Sequence, residues 1–461
     1  MILYVRRMKV QTHTFPNGFR LIYQPSTKNH ISSIFVYCNV GSAVETDSVR
    51  GASHMIEHMC FQGTFQKLSS KDIFREYDKI GAYLNAFTKK EYTVFEINCD
   101  ILYLEKCIQV LSDIMIHSKF NRTKFYKEQH VVVEENVMRA NNHTHLVMEK
   151  MEELLYQGNS YSFPVDSVRY HPKPDTLKYE LLKEWYEYYY VPSNMVFSIV
   201  SPTSFSEIIS ILKNTDFMND PKPKPIPKTA IPSPILSNTF LPQPTYFVHT
   251  KKGADVNYVT VGFRTCPFTS SDKYVFMMID HLLCGPISRL YTLLRERHNL
   301  TYSVTCKVDY IDHMGFFIVK ANTDKHVITN GHFPLENRPG ILPLIIQTIQ
   351  SIVRNGFEQH EIDHVKGYLY GKMRMNAENI DVLADYNGRE WIWANSSKSF
   401  CEITPYSKIY DTFIKPVTKK RLHDVVKQYF RLNNMVVCIL GEKVPSLNSV
   451  KSVCEKGWSK D

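Results

Sequence analysis

The order of hydrophobic and polar positions predicts a chain in which strands and helices alternate. Strand patterns lie near residues 82–88, 92–99, 195–200 and 258–264. Helical patterns lie near residues 72–80, 103–118, 128–140, 146–156 and 272–284. Because the two kinds of element are interspersed, we expect an α/β fold in which helices pack on sheets.

Prolines interrupt this pattern near the middle of the chain. They stand at every second position from 221 to 227 and recur up to Pro244. Proline can neither propagate a helix nor pair within a central strand, so this segment predicts a semi-extended linker. A chain of 461 residues also suits two domains. We therefore expect an N-terminal domain over 1–217, a linker over 218–244 and a C-terminal domain over 245–461.

Composition narrows the possible functions. Hydrophobic residues make up 43% of the chain and charged residues 22%, which is a globular composition. No apolar run reaches the roughly 18 residues that cross a bilayer. The net charge is +9, but the lysines are dispersed and no aromatic-basic module accompanies them, so no nucleic-acid partner is expected. The ten cysteines form no C-x-x-C pair, which predicts reduced thiols in an intracellular protein.

The strongest chemical signal is the pentapeptide His-Met-Ile-Glu-His at positions 54–58. In a helix, His54 and His58 lie on one face, and Glu57 projects from the same turn. Two imidazoles supply two of the three protein ligands of a catalytic zinc ion, and the carboxylate can accept a proton from water. The order H-x-x-E-H is the inverzincin motif. A helix that carries these three residues by coincidence is the alternative.

A third ligand must come from elsewhere in the sequence. The helical pattern over 123–140 carries Glu128, Glu134 and Glu135. Glu128 and Glu135 are seven residues apart and share a helix face, whereas Glu134 points elsewhere. This pair is either a metal ligand with a second acid beside it or part of a solvated acidic face. For an isolated pair of acids, the solvated face is the commoner explanation.

An H-x-x-E-H motif followed by E-x6-E, with the last glutamate 77 positions after the second histidine, resembles the pitrilysin family of zinc metallopeptidases. Within that family the chain is similar to the branch of the mitochondrial processing peptidase β-subunit and its bacterial relatives. Three further segments match the family pattern: FPNG at 15–18, FQGT at 61–64 and LNAFT at 84–88. The similarity begins near Lys9 and leaves only Met1–Met8, so no cleaved targeting segment is expected.

The resemblance implies a role for each motif residue. His54, His58 and Glu135 would bind one zinc ion per chain, Glu57 would be the general base, and Glu128 would be a supporting catalytic carboxylate. The implied fold has two homologous domains that enclose a cavity, each with a mixed sheet covered on one face by helices.

The resemblance also implies substrate contacts. The strand near 82–88 corresponds to an edge strand that binds the substrate backbone, with Asn85 contacting the peptide; an asparagine that only shapes a bend is the alternative. Arg295 and Tyr302 match an arginine and a tyrosine that reach the substrate in the family. A guanidinium can hold a peptide carbonyl, and a phenol can donate to an oxyanion. Otherwise Arg295 is a surface residue and Tyr302 begins a strand.

The second half repeats the first without its chemistry. Its strand 258–264 and helix 272–284 correspond to 34–40 and the motif helix, and residues 279–281 align with 56–58. Met277 replaces the first histidine, Asp280 replaces the base, and no glutamate pair is evident on the later helix over 361–376. We therefore expect His281 to be structural and the second half to be a duplicated domain without metal.

The sequence thus predicts a zinc metalloendopeptidase that acts on unstructured peptides or presequence-like segments. The alternatives are a catalytic subunit that depends on a partner, and a non-catalytic scaffold similar to the processing-peptidase α-subunit or the core proteins of the bc1 complex. A homodimer or heterodimer with a related chain is expected. The expected compartment is the cytoplasm, with the mitochondrial matrix as the alternative.

Overall fold

The computed structural model describes residues 9–26, 30–67, 69–165, 177–218, 240–324, 328, 330–333, 336–396 and 403–458. Residues 219–239, which are most of the expected linker, lie outside the described residues, as do Met1–Met8. Within the described ranges, no helix is both long enough and apolar enough to cross a bilayer.

The strands of the described residues belong to three sheets. They are β1 (Gln11–Thr14), β2 (Arg20–Pro25), β3 (Ile31–Cys38), β4 (Tyr83–Thr88), β5 (Thr93–Asp100), β6 (Met195–Ser201), β7 (Thr245–Thr250), β8 (Asn257–Thr265), β9 (Val304–Tyr310), β10 (Gly315–Thr323), β11 (Asn330–Phe333), β12 (Glu336–Pro339) and β13 (Met435–Gly441).

The α-helices are α1 (Ala52–Cys60), α2 (Ser70–Asp78), α3 (Leu104–Ile116), α4 (Arg122–Asn141), α5 (His143–Leu155), α6 (Tyr179–Tyr189), α7 (Phe205–Lys213), α8 (Asp272–Cys284), α9 (Arg289–Tyr291), α10 (Ile341–Asn355), α11 (Gln359–Asn376), α12 (Ile380–Ser396), α13 (Tyr406–Ile409), α14 (Lys419–Tyr429) and α15 (Leu447–Trp458). Two of them continue as π-helices, α9 over Thr292–Arg297 and α13 over Tyr410–Ile414. Short 3-10 helices occur at Ser42–Val44, Asp47–Val49, Ile101–Tyr103, Ser160–Ser162, Pro192–Asn194, Asp216–Met218 and Leu432–Asn434.

The chain forms two compact units, and neither is continuous in sequence. The first unit consists of the described parts of Met1–Val137, Phe163–Pro234 and Arg374–Lys408. Its six-stranded sheet has the order β1-β2-β6-β3-β5-β4. The β2–β6 pair is parallel and the other pairs are antiparallel. Strand β4 therefore lies at an edge of the described sheet.

Helices cover both faces of this first sheet. Val36 of β3 faces a hydrophobic core that includes residues of α1, α3 and α6. Tyr37 points to the opposite face, where its hydroxyl donates to the Asp385 carboxylate of α12 at 2.6 Å. The expectation of a single covered face is therefore wrong for this sheet, because α12 comes from the far end of the chain. The unbroken burial of Met195–Ser201 in β6 is the local sign of two covered faces.

The second unit consists of the described parts of Met138–Ser162, Ile235–Met373 and Ile409–Asp461. Its five-stranded sheet has the order β7-β13-β8-β10-β9, again with one parallel pair, β7 and β13. Strand for strand this is the order β2-β6-β3-β5-β4 of the first unit, and α8 follows β8 as α1 follows β3. The predicted duplication of an α/β fold is confirmed. Helix α5 packs against β8 and β13 of this sheet.

One cysteine pair differs from the expectation. Cys284 at the end of α8 and Cys306 in β9 form a disulfide, with their Cα atoms 5.9 Å apart. The prediction of reduced thiols is wrong for this pair. The cysteines are 22 positions apart in sequence, and they meet because α8 packs against β9, which no C-x-x-C spacing could indicate.

Candidate metal centre

Helix α1 carries the H-x-x-E-H motif, and a carboxylate from outside the helix caps its start. Gly51 at the N-cap has a φ of 82°, a conformation that suits glycine. The buried Glu45 carboxylate accepts hydrogen bonds from the backbone N–H groups of Gly51 and Ser53, each at 2.8 Å. It thereby satisfies N–H groups that have no partner within the helix and holds the first turn of α1 in place.

Sequence reasoning missed Glu45. Burial raises the pKa of Glu45 to about 7, and the hydrogen bonds from Ser53 and Gly51 oppose that rise. The Arg50 guanidinium also lowers the pKa; it is buried and packs 3.3 Å from the ring centre of Phe163. The position of Glu45 could have indicated its role, because Glu45 is the first acidic residue of the chain and lies shortly before the motif helix.

His54, His58 and Glu135 converge on one point. The two imidazole rings lie with their centres 4.8 Å apart. Glu135 comes from α4, and its Oε2 atom is 3.8 Å from His54 Nε2 and 3.5 Å from His58 Nε2. One ligand atom from each residue lies within 4.8 Å of the others. His54 is buried, whereas His58 and Glu135 are partly accessible. We call these three residues the His–Glu cluster.

The His–Glu cluster fits a zinc ion. Two histidines and one glutamate form a known ligand set of catalytic zinc sites, which leaves a coordination position for water or substrate. The described residues contain no second group of three or more histidine, cysteine, aspartate or glutamate side chains in such an arrangement.

Glu128 lies directly behind the cluster. Its Oε2 atom is 3.3 Å from His58 Nδ1, and its Oε1 atom accepts a hydrogen bond from Gln62 Nε2 at 2.8 Å. A proton on Nδ1 shared with Glu128 leaves Nε2 to face Glu135 and a metal ion. Burial opposes protonation of His58, but Glu128 and Glu135 raise its pKa to about 9. The same negative charges favour a bound dication. Gln62 lies in the FQGT segment, but sequence reasoning gave it no role.

Glu57 is held by the neighbouring strand β4. The Thr88 hydroxyl donates to Glu57 Oε2 at 2.6 Å, and α1 packs against β4. The Thr93 hydroxyl lies 3.5 Å from that of Thr88 and donates to the Val40 carbonyl at 3.0 Å. Thr88 was also missed, although it ends the LNAFT segment. Only the pairing of strand and helix reveals which residue its hydroxyl contacts.

The structure does not bring the Asn85 side chain to the His–Glu cluster. Side chains alternate along β4, so Asn85 and Thr88 point to opposite faces. The Asn85 amide donates to Glu96 Oε1 on β5 at 2.9 Å. The expected edge position of β4 is present, and an edge backbone can pair with an extended peptide. The role of Asn85 itself stays a prediction.

Arg295 and Tyr302 lie together in the second unit. The Arg295 guanidinium is 4.9 Å from the centre of the Tyr302 ring, and it also donates to the Tyr291 hydroxyl. Tyr302 precedes β9 and is 84% exposed. Both side chains are thus held near each other at the surface of their unit, and their contact with substrate stays a prediction.

The fold and the cluster define a class: a duplicated α/β chain whose first unit presents an H-x-x-E-H helix and a distant glutamate. The family model described as "Insulinase (Peptidase family M16)" matches residues 20–166, and the model described as "Peptidase M16 inactive domain" matches residues 176–369. The chain belongs to peptidase family M16. The predicted resemblance to the pitrilysin-type metallopeptidases is therefore confirmed.

Individual relatives carry consistent names. The chain is 24% identical over 425 residues to the "Uncharacterized zinc protease YmxG" of Bacillus subtilis, which covers 91% of this chain and 96% of that protein. It is 23% identical over 277 residues to the mitochondrial-processing peptidase subunit beta of Dictyostelium discoideum, covering 59% and 56% of the two chains. A protease from Helicobacter pylori shares the fold with a TM-score of 0.81 at 18% identity, over 94% of this chain and 99% of that one. The sequence relatives support a peptidase function.

Proposed function

We propose that this chain is a zinc-dependent endopeptidase that hydrolyses peptide bonds in unstructured peptides or presequence-like segments. The observation that carries the proposal is the convergence of His54 and His58 of α1 with Glu135 of α4, whose ligand atoms lie within 4.8 Å of one another. Family membership supports it. A zinc ion held by these three residues would polarise the scissile carbonyl and lower the pKa of a water molecule.

Side chains of the first unit transfer the proton and orient the reacting groups. Glu57 takes the proton of the attacking water and passes it to the leaving amine. The Thr88 hydroxyl binds one oxygen of Glu57 and so fixes the direction of the carboxylate. Glu128 accepts from His58 and keeps its Nε2 atom directed towards Glu135.

The substrate-binding part of the proposal follows the family resemblance. The edge strand β4 would pair with the extended peptide backbone, with Asn85 contacting the peptide. Arg295 would hold a peptide carbonyl, and the Tyr302 hydroxyl would donate to the oxyanion that forms when water attacks. The exposure of Tyr302, at 84%, is compatible with a ligand contact.

The proposal includes a partner. We expect one zinc ion per chain and a homodimer or heterodimer with a related chain. The relative from Dictyostelium discoideum is named as a subunit, which supports this expectation. The proposed location is intracellular, in the cytoplasm or alternatively in the mitochondrial matrix. The seven free cysteines of the described residues support it, and the Cys284–Cys306 disulfide counts against it.

The test compares wild type with Glu57→Gln in cleavage of unstructured basic and neutral peptides, with the zinc content of both proteins measured. Glutamine keeps the shape of the side chain but cannot accept the proton, so turnover should fall by about 10²–10⁴-fold while about one zinc remains bound. Asp280→Asn is the matched control, because Asp280 is the aligned acid of the second unit and should be dispensable for cleavage.

Three other results would change the account. Zinc binding without cleavage by wild type would favour a subunit that depends on a partner. Absence of zinc binding would favour a scaffold. Full activity of Glu57→Gln would contradict the assignment of the general base.

A further inference from the structure

A cavity of about 500 Å³ opens within the second unit. Its walls are the end of α8, the π-helical segment Thr292–Arg297, α10 and the start of α11. Leu282, Ile287 and Leu293 provide apolar surface, and arginine and histidine side chains provide polar groups. This size and this mixture are typical of small-molecule sites.

The cavity lies at the second unit's counterpart of the His–Glu cluster. His281 on α8 aligns with His58 on α1. On α11, Glu361 and Tyr368 repeat the seven-residue spacing of the glutamate pair on α4. The Tyr368 ring stacks on the His281 imidazole, with centres 3.6 Å apart and planes 8° apart. An aromatic ring therefore stands where the first unit has a carboxylate, and the second unit has a cavity beside it.

The cavity carries an excess of positive charge. Glu361 is the one acidic residue among its described lining residues, and Arg289 binds it through two hydrogen bonds of 2.7 and 2.6 Å. Arg297 also lines the cavity and forms no ion pair with any residue that the structure describes. His281 and His364 add ring nitrogens; burial and the nearby His364 lower the pKa of His281, so its ring is neutral at pH 7.

We propose that this cavity binds a carboxylate attached to an apolar group, as in the C-terminal residue of a peptide or a short free amphiphilic acid. One unpaired guanidinium matches a single negative charge and can bind both carboxylate oxygens. The apolar wall at Leu282 and Leu293 accepts the attached hydrocarbon. This inference goes beyond the proposed peptidase activity, because every residue that carries it belongs to the second unit.

The test is calorimetric titration of the full chain with N-acetyl-leucyl-leucine, with its C-terminal amide, and with hexanoate. We expect the free peptide acid to bind at one site and the amide to bind at least about tenfold more weakly, since the charge-assisted hydrogen bonds are lost. Arg297→Gln should weaken binding of the acid about tenfold, and Arg297→Lys should weaken it less. Glu296→Gln, on the same turn but outside the lining, is the control and should bind as wild type does.

A second variant guards against a folding artefact. Ile287 is 68% exposed at the cavity, so Ile287→Asp should fold normally and weaken acid binding through charge repulsion. Equal affinities for hexanoate and the peptide acid would identify free acids as the ligand class, and preference for the peptide acid would identify peptide ends. Equal binding of acid and amide, no binding at millimolar concentration, or an unchanged affinity of Arg297→Gln would overturn the proposal. An unchanged affinity of Arg297→Gln is also the result expected if the acid binds at the His–Glu cluster instead of in this cavity.

Discussion

Five strands of the first unit have the same order as the five strands of the second unit, yet the units differ in the side chains of two helices. In the first unit α1 offers two histidines and an acid, and α4 offers a glutamate that meets them. In the second unit α8 has Met277 and Asp280 at the corresponding positions, and α11 has Tyr368. The sheets and hydrophobic cores that specify the fold are thus retained without the side chains that specify the chemistry, which shows how little of the fold depends on the site.

The surroundings of the two acids also differ. In the first unit, Thr88 donates to Glu57 from the adjacent strand. In the second unit, burial raises the pKa of Asp280 to about 6. If Glu57 is the general base, as we propose, the hydrogen bond from Thr88 would orient its carboxylate beside the reacting water.

The largest expected effect comes from replacing each of the two aligned histidines, His58 and His281, by alanine in separate variants. His58→Ala removes one ligand of the His–Glu cluster, so the protein should lose zinc and its peptidase activity should fall by more than about a thousandfold. His281→Ala should leave zinc content and peptidase activity at wild-type levels. Elemental analysis and a peptide-cleavage assay on both variants test this. Loss of zinc from His281→Ala would contradict the claim that only the first unit binds the metal.

Thr88 provides a smaller and sharper comparison. Thr88→Val keeps the shape of the side chain but removes its hydrogen bond to Glu57, so kcat should fall about tenfold with zinc content and KM nearly unchanged. Thr88→Ser restores the hydroxyl and should recover most of the activity. Thr305→Val, on the corresponding edge strand β9, is the matched control and should behave as wild type. A Thr88→Ser variant as impaired as Thr88→Val would count against an orienting hydrogen bond.

The remaining effect is on stability rather than on turnover, and it concerns Glu45. Its pKa rises from 4.5 to about 7 on folding. The folded state therefore binds the proton more tightly, and the Glu45 contribution to stability decreases as the pH rises from 4.5 to 7, by at most about 1.4 kcal/mol per pH unit. Thermal melts of wild type and Glu45→Gln across this window should show the wild type losing stability relative to the variant. A constant difference between the two melting temperatures would refute the assignment.

The sequence indicated the residues that meet in the His–Glu cluster because their signals are local or fixed in spacing; their roles stay predictions. The motif at 54–58 lies on one helix, and the seven-residue spacing of Glu128 and Glu135 places both on one face of α4. Their convergence depends on how α1 and α4 pack, and for that the family resemblance was needed. Glu45 and Thr88 escaped prediction because each contact joins different elements, and neither residue belongs to a recognised metal motif.

Long-range packing also explains the errors in the prediction of the fold. The pattern of β3 and β6 predicts strands, but it cannot say that α12, which begins 179 residues after β6 ends, covers their second face. Similarly, Cys284 and Cys306 carry no spacing signal, and only the packing of α8 against β9 brings them together. In both cases the missing information was which distant segment meets a strand.

The most direct test of the central claim is anomalous diffraction at the zinc absorption edge from crystals of the full chain grown with zinc. We expect a peak about 2.0–2.2 Å from the ligand atoms of His54, His58 and Glu135, and none beside His281. The peak would place the metal in the first unit alone. Absence of a peak at the His–Glu cluster, or a second peak of equal height beside His281, would contradict the account.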